Sequence, residues 1–191
     1  MNNKSKKLVK KYSSNLACAY PYLYEDIKIV DHEVLTDEIS AQIAVLYNYV
    51  ENQTLKKDLE YLAELAWHIG GSVRGKNCIN KKTVNYVIDM YKRYESDLNE
   101  LDRKRFTVTI GSKAAAYCEL VRNKFKSAVR NLYLVEKDLF EKNINKKIDD
   151  NIYDILNICS NLFYLFSLWI RIKNNEEIKT FVTKSFNLKV K

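Results

Sequence analysis

Three cationic side chains recur at helical spacing in the middle of the chain. Arg122, Lys126 and Arg130 are each four residues apart, which places them on one row of an α-helix. Like charges at this spacing repel one another by a few tenths of a kcal/mol per pair. The row is therefore either a solvated helix surface or a surface that meets an anion, such as a carboxylate or a triphosphate.

The helix that carries this row is predicted to run from Ser112 to about Lys142. Ser112 is a suitable N-cap because its hydroxyl can accept a hydrogen bond from a free amide of the first turn. It follows Gly111 and a short β-favouring run. An apolar seam with 4-3-4-3-4 spacing lies beside the cationic row and predicts a buried face: Val121, Phe125, Ala128, Leu132, Val135 and Leu139.

Apolar periodicity predicts four further helices. They extend over residues 36–50, 54–69, 81–101 and 148–172, with Thr36 as the first N-cap and Gly70-Gly71 as the end of the second helix. Residues 13–35 are expected to be irregular, with one short strand. The chain has only four Gly and one Pro, which argues against an all-β fold. We therefore predict an all-α protein, a five-helix up-and-down bundle.

Composition limits the organisation of the chain and the classes of partner. The 191 residues suit one domain, divided here into a basic, Tyr-rich N-terminal segment (1–33), the helical bundle (34–175) and a C-terminal tail (176–191). The net charge of +8 suits an anionic partner. A helical nucleic-acid binder is one reading of that charge, but no recognisable motif or concentrated basic helix supports it, and no nucleic-acid partner is expected.

The remaining composition points to a soluble protein without a bound metal. Four dispersed Cys and two His form no metal signature. The N-terminus does not resemble a signal peptide, and the longest apolar run, residues 162–170, is too short to span a bilayer. A cytoplasmic protein with no membrane partner is expected.

Three stretches resemble one known family, the propanediol-utilisation type of ATP:cob(I)alamin adenosyltransferase. The first is Phe106-Thr-Val-Thr-Ile-Gly-Ser followed by an Ala-rich helix with the cationic row. It resembles the family's Phe-Ile-Leu-Pro-Gly-Gly turn and Arg-x-x-x-Arg-Arg-Ala-Glu-Arg helix. The second, Leu156-Asn-Ile-Cys-Ser-Asn-Leu-Phe-Tyr-Leu-Phe, resembles Leu-Asn-Arg-Leu-Ser-Asp-Tyr-Leu-Phe. The third, Leu35-Thr-Asp-Glu-Ile-Ser, resembles Glu-Val-Asp-Glu-Leu-Asn.

The resemblance covers about residues 34–172 and implies a five-helix bundle that assembles as a homotrimer with active sites between subunits. Such enzymes bind ATP with Mg and a corrinoid as substrates. The corrinoid cobalt, reduced to Co(I) and without its lower ligand, attacks the 5′ carbon of ATP and releases triphosphate.

The resemblance also implies roles for individual residues. Phe106 would lie against the lower face of the corrin and exclude water from cobalt. Asp37 would form an intersubunit salt bridge with Arg122 near the corrinoid. Arg122 and Lys126 would be the catalytic residues, and the ligand-binding set would be Phe106, Asp37, Arg130 and Asn157.

The sequence also departs from the family pattern. Residues 1–35 contain no Gly, whereas the family's N-terminal phosphate loop is Gly-rich so that its amides can approach phosphates closely. Within the motifs, Ser127 replaces an Arg, Val129 a Glu and Asn161 an Asp, while Lys126 lacks the bidentate geometry of Arg. Two hypotheses follow. One is an adenosyltransferase with a diverged ATP site. The other is a non-catalytic relative that binds a corrinoid or serves in assembly.

Overall fold

Five α-helices form an up-and-down bundle in the computed structural model, which describes residues 12–99 and 107–182. Their bounds are α1 (Lys28–Tyr47), α2 (Gln53–Arg74), α3 (Lys81–Glu95), α4 (Lys113–Glu141) and α5 (Asp150–Lys173). Two short 3-10 helices, Asn15–Ala17 and Pro21–Tyr24, precede α1. The predicted all-α bundle is confirmed.

Contacts between helices give their relative directions. Helix α1 packs on α2 and α4, and α4 packs on α5. Glu38 of α1 pairs with Lys124 of α4, while Lys28, ten residues earlier, reaches Asp138, so α1 and α4 run antiparallel. Helix α3 runs parallel to α5, because Lys81 pairs with Asp154 near the start of both helices and Tyr94 contacts Trp169 near their ends.

The core lies along α4 and α5, as the apolar patterns predict. All six members of the α4 seam are at most 2% exposed. Phe125 of α4 stacks on Phe163 of α5 with ring centroids 5.5 Å apart. Ser112 caps α4 by accepting a hydrogen bond from the Ala115 amide at 3.4 Å. By length and composition α5 could cross a membrane, but 72% of its most apolar window is buried within the bundle, as befits a central helix.

The predicted start of α1 at Thr36 is wrong, because the helix begins eight residues earlier at Lys28. Thr36 lies inside the helix, and its hydroxyl donates to the Glu33 carbonyl at 2.9 Å. The N-cap residue, Ile27, provides no side-chain hydrogen bond. Instead the Lys28 amide donates to Asp138 of α4 at 2.9 Å, so the cap comes from a distant part of the sequence.

The predicted end of α2 at Gly70-Gly71 is also wrong, because the helix continues to Arg74. A Cβ atom on Gly70 would lie 2.3 Å from the Thr36 hydroxyl oxygen. Gly70 thus allows α1 and α2 to approach closely and does not terminate the helix. Helix α3 ends at Glu95, before the predicted Leu101, which lies outside the described residues.

The chain on either side of α4 and α5 is joined by a short β-type contact. An isolated antiparallel bridge links Thr107 to Thr180, and the Val108 amide donates to the Lys179 carbonyl at 2.9 Å. Arg171, fully buried at the end of α5, donates to the Val108 carbonyl at 3.0 Å. The C-terminal tail therefore holds the segment that leads into α4.

Candidate active site on the outer face of α4

The cationic row lies on the outer face of α4, beside its apolar seam. Lys126 and Arg130 are exposed, and Arg122 is half-buried. This division follows from the helical period, because residues 125, 128 and 132 face the core and positions 126 and 130 between them are exposed. The row predicted from the sequence is thus a surface feature with its three members on consecutive turns.

Arg122 is the most constrained member of the row. Its Nη1 donates to Oε2 of Glu119 at 2.8 Å, and its guanidinium lies over the Tyr164 ring of α5, 4.6 Å from the ring centroid. Glu119 is only 4% exposed. Arg122 is therefore held by a carboxylate one turn earlier on its own helix and by an aromatic ring on the neighbouring helix.

Lys126 and Arg130 line a cleft of about 560 Å³ between α4 and α1, together with Leu35, Asn123, Ser127, Asn131 and Leu134. Partial burial and the positive charge of Arg122 lower the pKa of Lys126, although Glu119 opposes this shift. Neither Lys126 nor Arg130 forms an ion pair with the described residues. The cleft therefore presents uncompensated positive charge to solvent.

Asp37 lies apart from the row within one protomer. It is exposed on α1 and lines a second cleft of about 280 Å³ with Trp67, Gly70 and Gly71 of α2. Arg122 instead faces α5 through Tyr164. A single chain does not bring the two groups together, so a pair between Asp37 and Arg122 requires two protomers.

Asn157 lies on the exposed side of α5, and its side-chain amide donates to the Tyr153 carbonyl at 2.9 Å. The antiparallel contacts of Tyr164 with Arg122 and of Tyr153 with Tyr133 bring Asn157 level with the turn of α4 that carries Arg130. Phe106 lies outside the described residues. It immediately precedes Thr107, which the C-terminal tail holds through the bridge to Thr180.

Glu119 and Tyr164 are the site residues that the sequence prediction missed. The signal for Glu119 was present, because an acid three residues before Arg122 on a helix is placed to pair with it. Tyr164 had no comparable signal, since its position over Arg122 depends on the register between α4 and α5.

The region that contains the cationic row matches a known family. Residues 27–170 match the model of the cobalamin adenosyltransferase family. The chain belongs to this family. No curated protein matches the chain in sequence.

Solved structures of other family members share the fold. A phenylalanine-to-alanine variant of the PduO-type ATP:corrinoid adenosyltransferase from Lactobacillus reuteri, complexed with cobalamin and ATP, superimposes with a TM-score of 0.71 at 13% identity, over 84% of this chain and 90% of that chain. An arginine-to-lysine variant complexed with ATP gives a TM-score of 0.70 at 14% identity, over 84% and 90% of the two chains. A phenylalanine-to-histidine variant complexed with cobalamin and ATP gives 0.69 at 13% identity, over 85% and 87%. At these identities the likeness establishes the fold.

Proposed function

We propose that this family member is an ATP:cob(I)alamin adenosyltransferase whose ATP site has diverged. The observation that carries the proposal is the pair of cations Lys126 and Arg130, which line one cleft without an ion pair to the described residues and continue the row begun by Arg122. Triphosphate, the leaving group of the reaction, carries several negative charges. Positioned cations that meet charge as it develops supply the largest share of catalysis in many enzymes.

Each part of the site has a proposed role in the reaction. The electron pair of Co(I) attacks the 5′ carbon of ATP, a cobalt–carbon bond forms, and the carbon–oxygen bond breaks with its electron pair on triphosphate. A separate reductant supplies Co(I). In this proposal Lys126 and Arg130 bind the polyphosphate, and Arg122 lies nearest the reacting centre. Asn157 lines the site beside Arg130.

Phe106 is proposed to cover the lower face of the corrin and keep water from cobalt. Its neighbours support this assignment, since the tail and Arg171 fix the backbone at Thr107 and Val108. An aromatic ring held against the metal removes a competing ligand, which makes the low oxidation state of cobalt easier to reach.

A homotrimer with Asp37 of one subunit paired to Arg122 of the next is part of the proposal. The separation of the two groups within a protomer supports it, as do the exposed apolar side chains on α1 and α4, namely Val34, Leu120, Tyr133 and Leu134. Light scattering should give the mass of three chains. Exchange of the two charges between Asp37 and Arg122 should restore an assembly that either single reversal weakens. Assembly that neither single reversal affects would remove this pair from the interface.

Among the described residues no three His, Cys, Asp or Glu side chains cluster in a way that could hold a metal ion. Magnesium is accordingly proposed to arrive on the ATP phosphates, where it keeps much of its water shell. The four cysteines are all free thiols, which supports the reducing environment of the cytoplasm.

The test is direct. Protein is mixed anaerobically with ATP, magnesium and chemically reduced cobalamin, and the cobalt spectrum is followed for loss of cob(I)alamin and appearance of a light-sensitive adenosylated product. Lys126→Ala should slow the reaction strongly. Lys137→Ala, which removes an exposed cation from the same helix outside the row, is the matched control. No transfer by the wild-type chain would overturn the proposal.

A second function is favoured by the absence of Gly from residues 1–35, which leaves no glycine-rich phosphate loop. In this alternative the chain binds a corrinoid without transferring an adenosyl group and serves as a carrier or assembly partner. Cobalamin binding, seen as a spectral shift, together with no product under the conditions above would favour this alternative.

A further inference from the structure

Glu119 is the buried acid of the α4 outer face, and its two oxygens are used unequally. Oε2 accepts from Arg122 at 2.8 Å. Oε1 is buried and accepts no hydrogen bond from the described residues. A carboxylate that is 4% exposed loses most of its hydration, so one good hydrogen bond to a cation is needed to keep it in the folded protein.

The contact with Glu119 also determines where Arg122 points. The guanidinium is held on one side by the carboxylate and on one face by the Tyr164 ring at 4.6 Å. The Arg122 side chain is 23% exposed, so part of its donor edge still faces outward. A guanidinium held from behind can present its remaining donors to a planar or tetrahedral anion without first losing its own conformational freedom.

The charge balance supports the same role. Three cations on consecutive turns would otherwise repel one another, and Glu119 compensates the innermost of them. Lys126 and Arg130, which form no ion pair with the described residues, line the cleft. Glu119 therefore compensates part of the charge of Arg122 and orients it, while Lys126 and Arg130 have no ion-pair partner of their own among the described residues.

We propose that Glu119 is the positioning residue of the site, which fixes Arg122 so that its outer donors face the anionic ligand. This inference rests on the proposed function, and it concerns a residue outside the motifs through which the chain resembles its family.

The first experiment needs no ligand. Arginine side-chain NMR of the full chain should show a restricted guanidinium for Arg122, assigned with Arg122→Lys, and this restriction should be lost in Glu119→Gln. Glu141→Gln is the matched control, because Glu141 lies on the same helix, is 59% exposed and pairs with Lys137. An Arg122 signal that is unchanged in Glu119→Gln overturns the inference whether or not the protein is active.

The second experiment measures function. Glu119→Gln should lower kcat for adenosyl transfer about 10- to 100-fold, the usual cost of losing a residue that orients a functional side chain. KM for ATP should change little, because Lys126 and Arg130 remain. Glu119→Asp, which keeps the charge on a shorter side chain, should recover part of the rate. Circular dichroism and thermal unfolding confirm that each variant is folded.

The outcomes separate the inference from the proposed function. A wild-type rate in folded Glu119→Gln, with Glu141→Gln also unchanged, overturns only the role of Glu119. A wild-type chain that neither transfers adenosyl groups nor binds cobalamin or ATP overturns the proposed function and this inference with it. For a chain that binds without transfer, the NMR experiment decides: loss of the Arg122 restriction in Glu119→Gln alone supports the inference, and an unchanged Arg122 signal overturns it.

Discussion

Arg74 and Arg122 are held in the same way in two regions of the molecule but are surrounded by opposite charge. Both side chains are 23% exposed. Arg74 lies 4.3 Å from the Tyr22 ring centroid, and Arg122 lies 4.6 Å from that of Tyr164. Each pairs with a buried glutamate, Glu33 or Glu119.

The difference lies in what surrounds the pair. Arg74 also bonds Glu25 at 2.9 Å, so two carboxylates face one guanidinium and the cluster ties the N-terminal segment to α1 and α2. Arg122 has one carboxylate and is followed by Lys126 and Arg130, which form no ion pair with the described residues. The same local arrangement therefore ties the N-terminal segment to the helices where acids are in excess, and we propose that it serves an anion-binding site where cations are in excess.

The largest expected effect is on activity at Arg122. Arg122→Ala should lower kcat/KM for adenosyl transfer about 100- to 1,000-fold, as loss of one charge-stabilising donor does in other enzymes. It also leaves Glu119 buried without its cation, so it should lower the free energy of unfolding by about 2–3 kcal/mol, as Arg74→Ala should. Steady-state rates and thermal unfolding check this. A variant that is unfolded, or one that retains the wild-type rate, would contradict the comparison.

The next effect is on stability towards acid and concerns the contact between α1 and α4. His32 is fully buried, with Nδ1 3.1 Å from Asn131 Oδ1, and burial lowers its pKa to about 4 although that hydrogen bond opposes the shift. The unfolded chain, with an ordinary pKa near 6.5, takes up the proton first. Stability should therefore be full above about pH 6.5 and fall by about 3 kcal/mol as the pH drops to 4.

Urea denaturation at a series of pH values measures this loss. His32→Asn should be less stable at neutral pH but should lack the part of the pH dependence that belongs to His32. His68→Gln, at the exposed position of the other histidine, should retain it. Equal pH dependence in wild type and His32→Asn would show that other groups control acid stability.

Arg74 should affect stability and leave chemistry unchanged. Arg74→Ala leaves Glu33 buried without its cation, which should lower the free energy of unfolding by about 2–3 kcal/mol. The adenosyl-transfer rate per folded molecule should stay near that of wild type. Chemical denaturation and rate measurements below the melting temperature test both parts. Lys137→Ala, at an exposed pair, should cost less than about 1 kcal/mol.

The smallest effect separates two adjacent glycines of α2. In Gly70→Ala the new methyl group meets the Thr36 hydroxyl, and overpacking costs about 1–3 kcal/mol, partly offset by the better helix propensity of Ala. In Gly71→Ala nothing lies within 4 Å of the new atom, so the variant should gain about 0.5–1 kcal/mol. Opposite signs in the two unfolding experiments are expected, and equal signs would refute the close-approach explanation.

The sequence predicts features whose cause is local. The N-cap at Ser112 and the seam through Phe125 lie within one helix, so α4 is predicted with nearly correct bounds. The start of α1 was missed because its cap is Asp138, and the end of α2 because Gly70 serves a contact with another helix. The cationic row is predicted from the four-residue spacing of its members. The orientation of Arg122 within it depends on Glu119 and on the register that brings Tyr164 over Arg122.

The hydrogen bond between Lys28 and Asp138 spans 110 positions of the chain and has a consequence for synthesis of the protein. During translation α1 leaves the ribosome long before Asp138 is made. At that stage the Lys28 amide has no Asp138 carboxylate to accept its hydrogen bond. The first turn of α1 therefore acquires this cap only after α4 has been made and has packed against it.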